Sequence, residues 1–491
     1  MNTKKLLHIV FIFCLFMFVS YSALANNISV SNFRLVGQNI TNHYTMVKFD
    51  ITWENSWRNS SSPNNWDAAW VFVKYRVGSG AYQHAWLNNT GHINPIGSTI
   101  TTGLLEPDST FNATTNPGLG VFIFRDADGT GTFSKTAVKL RWNYGANGLS
   151  DTARIDIRVY AIEHVYVPTG AFSAGSGGSE SNGFTLTTIN TGNATTTPTG
   201  TGTLGGEAGG YPTGQTAPDN ATWPNGFNAF YCMKYEISQQ GYVDFLNNLT
   251  TTQATNRFPN YNGSHRHAIS VSSGVYSTTN PFVACTYICW ADVAAYLDWS
   301  GLRPMTELEY EKSCRGTLLP VPNEFAWGTT GIANSEYTLI NSGADNEVIA
   351  TGYSTTVGNA AYDVTTPYIG SINGPVRVGI FAGNSLNTGR VTAGATYYGI
   401  MEMSGNLWER PVTVGNSTGR AFTGTHGNGL LDATGNANVS TWPAMNALGA
   451  GIRGGCWGGS SALQVSSRNN ATGIYNGPDL NIGGRGVRSM P

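Results

Sequence analysis

Between Asn27 and Ala161 no stretch repeats its apolar side chains at helical spacing. Short runs alternate instead with a period of two, most plainly in Trp70-Val71-Phe72-Val73-Lys74-Tyr75 and Ala153-Arg154-Ile155-Asp156-Ile157-Arg158-Val159-Tyr160. A chain patterned in this way is committed to sheet. The runs are Ile28 to Val36, Met46 to Trp53, Ala68 to Tyr75, Gln83 to Leu87, Gly120 to Phe124, Thr136 to Trp142 and Arg154 to Ala161. About seven strands with polar turns between them predict an antiparallel β-sandwich of immunoglobulin-like type over residues 26–161. Asp126-Ala127-Asp128-Gly129-Thr130-Gly131 lacks the full spacing and closing Glu of a calcium loop and reads as a hairpin turn.

The length, 491 residues, exceeds what one core usually supports, so a second domain is expected. Apolar residues at 40% are ample for a core, while 61 glycines and only 11% charged residues point to strands joined by long polar loops. A net charge of -2 gives no basic footprint for nucleic acid and no polybasic patch for a membrane surface. Lys4-Lys5, the apolar run Leu6 to Val19 and the small-residue site Ala23-Leu24-Ala25 read as a cleaved signal peptide over residues 1–25. The mature chain is therefore expected to start at Asn26 and to be secreted, periplasmic or on the cell surface, with no membrane insertion. Of six cysteines, Cys14 lies in the signal. The odd number left, Cys232, Cys285, Cys289, Cys314 and Cys456, leaves at least one free thiol in a monomer. Buried thiols are the expectation, with one disulfide as the alternative, and Cys285 and Cys289 cannot bridge if the chain between them is extended.

A second unit is expected over residues 162–491. Its tract 173–225, rich in Gly, Thr, Ser and Asn, cannot bury enough to fold alone and reads as a surface excursion. Helices are expected over Gln239 to Leu249 behind the N-cap Ser238, over Ala291 to Ser300, and over Leu308 to Cys314 behind the capping box Thr306-Glu307-Leu308-Glu309. The turn Gly405-Asn406-Leu407-Trp408-Glu409 sets an amide and a carboxylate one turn apart beside a large aromatic. Hard oxygen ligands so arranged suit Ca²⁺; a tight turn with a capping Asn and a core Trp is the alternative.

Taken in order, several segments resemble the formylglycine-generating enzyme (sulfatase-modifying factor) family. They are Val165 to Gly175, Met233 to Ile237, Trp290 to Tyr296, Arg303-Pro304-Met305-Thr306-Glu307-Leu308-Glu309-Tyr310-Glu311, Gly399 to Glu409, Arg453-Gly454-Gly455-Cys456-Trp457 and Ile482 to Arg488. The resemblance implies an α+β fold of C-type lectin-like type for residues 162–491. It also implies a Cu(I) site held by two cysteines after the Gly-Gly strand, but Gly459 and Gln464 stand at those positions. Copper is therefore not expected, and Cys456, on the family's serine position, is only a weak catalytic candidate. Relatives that use non-haem iron hold it with three histidines; here His265 and His267 are close enough to ligate a metal together but read as a polar loop pair, and His426 is distant.

The resemblance further implies structural Ca²⁺ on the Gly-Asn-x-Trp-Glu turn, with Asn406 and Glu409 as ligands and the carbonyls of Gly405 or Leu407 as helpers. A second calcium site would use Asn341 and Asp345. Arg410 replaces the family's second Trp and puts a cation beside the first site. The function expected is a non-catalytic, exported binding or cell-surface module for a protein or glycan ligand. Trp223, Tyr261 and Tyr475 are aromatics that such a ligand can stack on. The alternative is a formylglycine-generating-type oxidoreductase acting on protein cysteine, and a third reading is a structural part of a surface assembly.

Overall fold

The computed structural model describes residues 27–107, 109–193, 218, 220–363 and 372–491. The expected signal peptide and residues 194–217 and 219 of the Gly/Thr/Ser tract lie outside them. The described residues are mainly strand and loop with few helices, built around a large antiparallel sheet.

The front of the chain supplies eight strands: β1 (Ser29–Asn39), β2 (Tyr44–Asn59), β3 (Asn65–Val77), β4 (Gln83–His84), β5 (Thr99–Leu104), β6 (Gly118–Phe124), β7 (Gly129–Trp142) and β8 (Ile155–Val167). β2 lies between β1 and β7, while β3 lies between β6 and β8, with β5 beyond β6 and β4 on the end of β3. Alternation sorts the side chains as the pleat requires. Val47, Phe49, Ile51 and Trp53 of β2 meet Ala69, Val71, Val73 and Tyr75 of β3 in one core, closed by Phe133, Val138 and Leu140 of β7. β5 escaped the pattern reading because its only large apolar residues are Ile100 and Leu104.

β3 is buried almost throughout, on both faces. Its second face, Trp66, Ala68, Trp70 and Phe72, packs into the core of the rest of the chain beside Tyr231, Trp290 and Trp299. β8 is correspondingly shared. From Ile155 to Val165 it pairs with β3, and from His164 to Val167 with β11 (Phe230–Met233). The same sheet then continues through β17 (Gly486–Ser489) to β14 (Arg303–Pro304). Side chains lock this seam. Lys234 Nζ reaches Glu163 Oε2 at 3.0 Å, Trp70 Nε1 donates to the Ser300 carbonyl at 2.8 Å, and Lys74 Nζ donates to the Gly429 carbonyl at 2.7 Å.

Around this sheet run the hairpins β9–β10 (Phe172–Ala174, Thr187–Ile189), β12–β13 (Ile269–Ser272, Val275–Thr278) and β15–β16 (Thr338–Ile340, Val348–Thr351). The helices are α1 (Gln239–Leu246), α2 (Thr251–Arg257), α3 (Trp290–Trp299), α4 (Glu307–Arg315) and the single turn α5 (Ser417–Arg420). α1 starts at its expected cap, Ser238, and stops at Leu246, short of Leu249, with Asn247 as its C-cap. α2 has no apolar period and buries only Ala254; the capping box Thr250–Gln253 marks it. α4 opens on the expected capping box, with Glu309 N donating to Thr306 Oγ1 and Thr306 N to Glu309 Oε2. Among the described residues no helix is long and apolar enough to cross a membrane.

Candidate functional site

The turn at 405–409 is fixed by backbone conformation first. Gly405 has φ +91, and a Cβ there would stand 2.5 Å from the Ala361 carbonyl oxygen, so only glycine fits. Asn406 follows with φ +64, a left-handed conformation that Asn tolerates better than most residues. Its carboxamide is spent within the protein: Oδ1 accepts from Val376 N at 2.9 Å and Nδ2 donates to Glu236 Oε2. The other oxygen of Glu236 accepts from Leu407 N at 2.8 Å.

Glu409 is fully buried and pairs through Oε1 with Arg485 Nε. Glu402, on the same segment with φ +54, accepts from Gly379 N at 2.8 Å. Thus three carboxylates, Glu236, Glu402 and Glu409, share the field of Arg485. Burial pushes all three up from the ordinary glutamate value, against the pull of Arg485, and Glu402 rises to about 7. Glu402 Oε2 and Glu409 Oε2 are buried with no hydrogen-bond partner among the described residues. Asn341 stands apart from this turn, exposed in the β15–β16 loop with Asp345, its Nδ2 donating to Asn346 O at 3.4 Å.

A second ionic frame surrounds α4, whose acidic residues are all buried. Glu307 accepts from Arg453 Nη1 at 3.0 Å and from Arg468 Nε and Nη2 at 2.7 and 2.8 Å, while Glu311 accepts from Arg453 Nη2 at 2.9 Å. Glu309 takes Arg303 in a two-pronged pair at 2.8 and 2.6 Å. These bonds tie the Arg-Gly-Gly strand segment and the chain near Arg468 to the helix. They are the reason that a polar helix can be interior.

Residues 162–490 match the family of the sulfatase-modifying factor enzyme 1-like domain. The chain belongs to that family. No curated protein matches it.

Within the sulfatase-modifying factor domain, Cys456 is 3% exposed and free, and burial drives its thiol up to about 12. All five described cysteines are buried and unbridged. His265 and His267 lie in a turn with φ +46 at His265 and +63 at Arg266. His265 Nδ1 meets Tyr287 Oη at 2.6 Å, His267 Nε2 meets the Pro259 carbonyl at 3.0 Å, and His426 accepts from Ser489 N at 3.1 Å. Among the described residues no three His, Cys, Asp or Glu side chains are grouped to hold a metal. Of the three aromatics singled out, Trp223 is interior and donates to the Gly419 carbonyl at 2.9 Å; Tyr261 is 41% exposed and stacks on Tyr287 at 4.1 Å.

Sequence reasoning passed over Glu236, Glu402 and Arg485. The signal was present in each case: a lone acid inside the apolar segments Phe230 to Ile237 and Tyr398 to Met403, and an arginine in a glycine-rich end. Charges in such company are buried and therefore paired.

Proposed function

We propose that the chain is an exported, non-catalytic binding module in which an immunoglobulin-like sandwich is joined to a sulfatase-modifying factor domain, and that its ligand is a protein or glycan. The observation that carries this reading is the cysteine chemistry. The positions for a thiol pair hold Gly459 and Gln464, and the neighbouring Cys456 is buried with its thiol at about 12, far from a thiolate at neutral pH. The decisive test uses residues 26–491 with Cu(I) in air and a peptide of the pattern Cys-x-Pro-x-Arg, read by mass spectrometry beside an active relative. The expected result is unmodified cysteine; conversion to formylglycine overturns the proposal.

Structural Ca²⁺ at Asn406 and Glu409, with Asn341 at a second place, belongs to the same proposal. It is supported by the unpartnered Oε2 atoms of Glu409 and Glu402, hard oxygen donors on one segment. It requires Asn406 to exchange its bond from Val376 for the ion. The expected outcome is a melting temperature that rises with millimolar Ca²⁺ and a rise that disappears in Asn406→Ala/Glu409→Ala. Melting indifferent to Ca²⁺ in the parent protein removes the site.

A further inference from the structure

Among the described buried arginines, the one that follows the turn is the one with no hydrogen-bond partner at any guanidinium nitrogen. Arg303, Arg315, Arg453, Arg468 and Arg485 each face at least one glutamate within the protein. Arg410 is 2% exposed, and its Nε, Nη1 and Nη2 are all buried without a hydrogen-bond partner among the described residues. Its own neighbour Glu409 is committed to Arg485.

No described carboxylate is among the groups that act on Arg410. Its guanidinium stands 5.7 Å over the Trp290 ring, at the first turn of α3. The titratable groups that act on it are the Cys289 thiol, at the N-cap of that helix, and the Tyr475 hydroxyl. Burial raises the Cys289 thiol to about 11, so it carries no charge near pH 7. The acid of this helix turn, Asp292, is already spent, with Oδ1 on Arg257 at 3.0 Å and Oδ2 on Cys289 N at 2.9 Å. The positive end of the α3 dipole adds to the field. A buried cation without a counter-charge is among the most destabilising arrangements a core can hold. An arginine fork beside a helix N-terminus is also an efficient receptor for an oxyanion.

We propose that Arg410, with the first turn of α3, forms a binding site for a carboxylate. The planar fork matches a carboxylate edge to edge, and the Trp290 ring lines one side. Tyr475, whose hydroxyl acts on Arg410, is half-buried against Trp408, Ile452, Cys456 and Ile482, and Ile474, Asn476, Gly477 and Pro478 around it are exposed. The carboxylate reaches the site past this loop, carried by a free organic acid or by an acidic group of a protein partner. The inference rests on the geometry of Arg410 and not on the oxidase assay, so the two can fail separately.

The test uses residues 26–491, titrated calorimetrically with formate and acetate at fixed ionic strength, with phosphate, sulfate and chloride as separate arms, and a peptide carrying a free C-terminus against its amidated form. The expected result is saturable binding of formate or acetate that weakens at least tenfold in Arg410→Trp, which installs the family's usual residue, and in Arg410→Lys, which keeps the charge and loses the fork. Tighter binding of the free-acid peptide than of acetate assigns the site to a protein partner; equal or weaker binding assigns it to a small acid. Absence of carboxylate binding by the parent protein overturns the proposal whether or not the variants fold. Equal binding by the variants, or preference for phosphate, sulfate or chloride, overturns it as well.

Discussion

Glu402 and Glu307 are both buried carboxyls, and their surroundings drive them in opposite directions. Burial raises each, but at Glu307 the charges of Arg468 and Arg453 outweigh it and hold the group below its ordinary value, whereas at Glu402 burial prevails over Arg485 and the group rises to about 7. For a carboxyl raised from 4.5 to about 7, the folded state binds the extra proton between those pH values. Its stabilising contribution is complete below the unfolded value and is lost as pH rises through the folded one. Glu402→Gln keeps the oxygen that accepts from Gly379 and removes this dependence. The variant is expected to exceed the parent in stability above pH 7 by on the order of 1–3 kcal/mol and to match it near pH 4.5, as measured by urea unfolding across that range. A parent whose stability does not fall between pH 4.5 and 7 contradicts the assignment. At this scale the sequence was legible wherever a motif kept its spacing, as with Thr306 and Glu309. At Glu236, Glu402 and Arg485 it signalled burial but not the pairing, because which charges meet in a core depends on segments far apart in the chain, here residues 236, 402–409 and 485.

Among the elements, α4 is the one whose local signal and tertiary role coincide. The Thr306 hydroxyl accepts from Glu309 N at 3.2 Å and also donates to the Pro224 carbonyl at 2.7 Å, so it closes the helix and ties a distant loop to it. Thr306→Ala removes both bonds and is expected to lower stability by about 1–2 kcal/mol, read as a lower urea midpoint with unchanged slope. Loss of less than about 0.5 kcal/mol would show that the loop bond carries nothing. α3 was legible from its inward aromatics Tyr296 and Trp299, while α2 was not: Thr251–Arg257 offers a cap and no face. β3 shows the limit of pattern reading. Its alternation is correct, but a strand with both faces apolar does not say what covers the second one, and here that is the remainder of the chain.

Taken as a whole, the molecule has no seam of the usual kind between its front strands and its family domain. Trp66, Trp70, Phe72 and Phe122 share one core with Tyr231, Trp290 and Trp299, and the sheet runs from β3 through β8 into β11 without a break. Cooperative unfolding follows from a shared core. Calorimetry of residues 26–491 is expected to give a single transition, and residues 168–491 expressed alone, without β8, are expected to aggregate because that apolar face is uncovered. Two separated transitions, or a monomeric fragment that melts sharply, contradict this. The continuity of β8 also bears on how the protein carries load. Two parts joined by a tether yield first at the tether. Here tension applied between front and rear is borne along the backbone of one strand and loads its ladders to β3 and β11 in shear, so that several hydrogen bonds must fail together before the halves part.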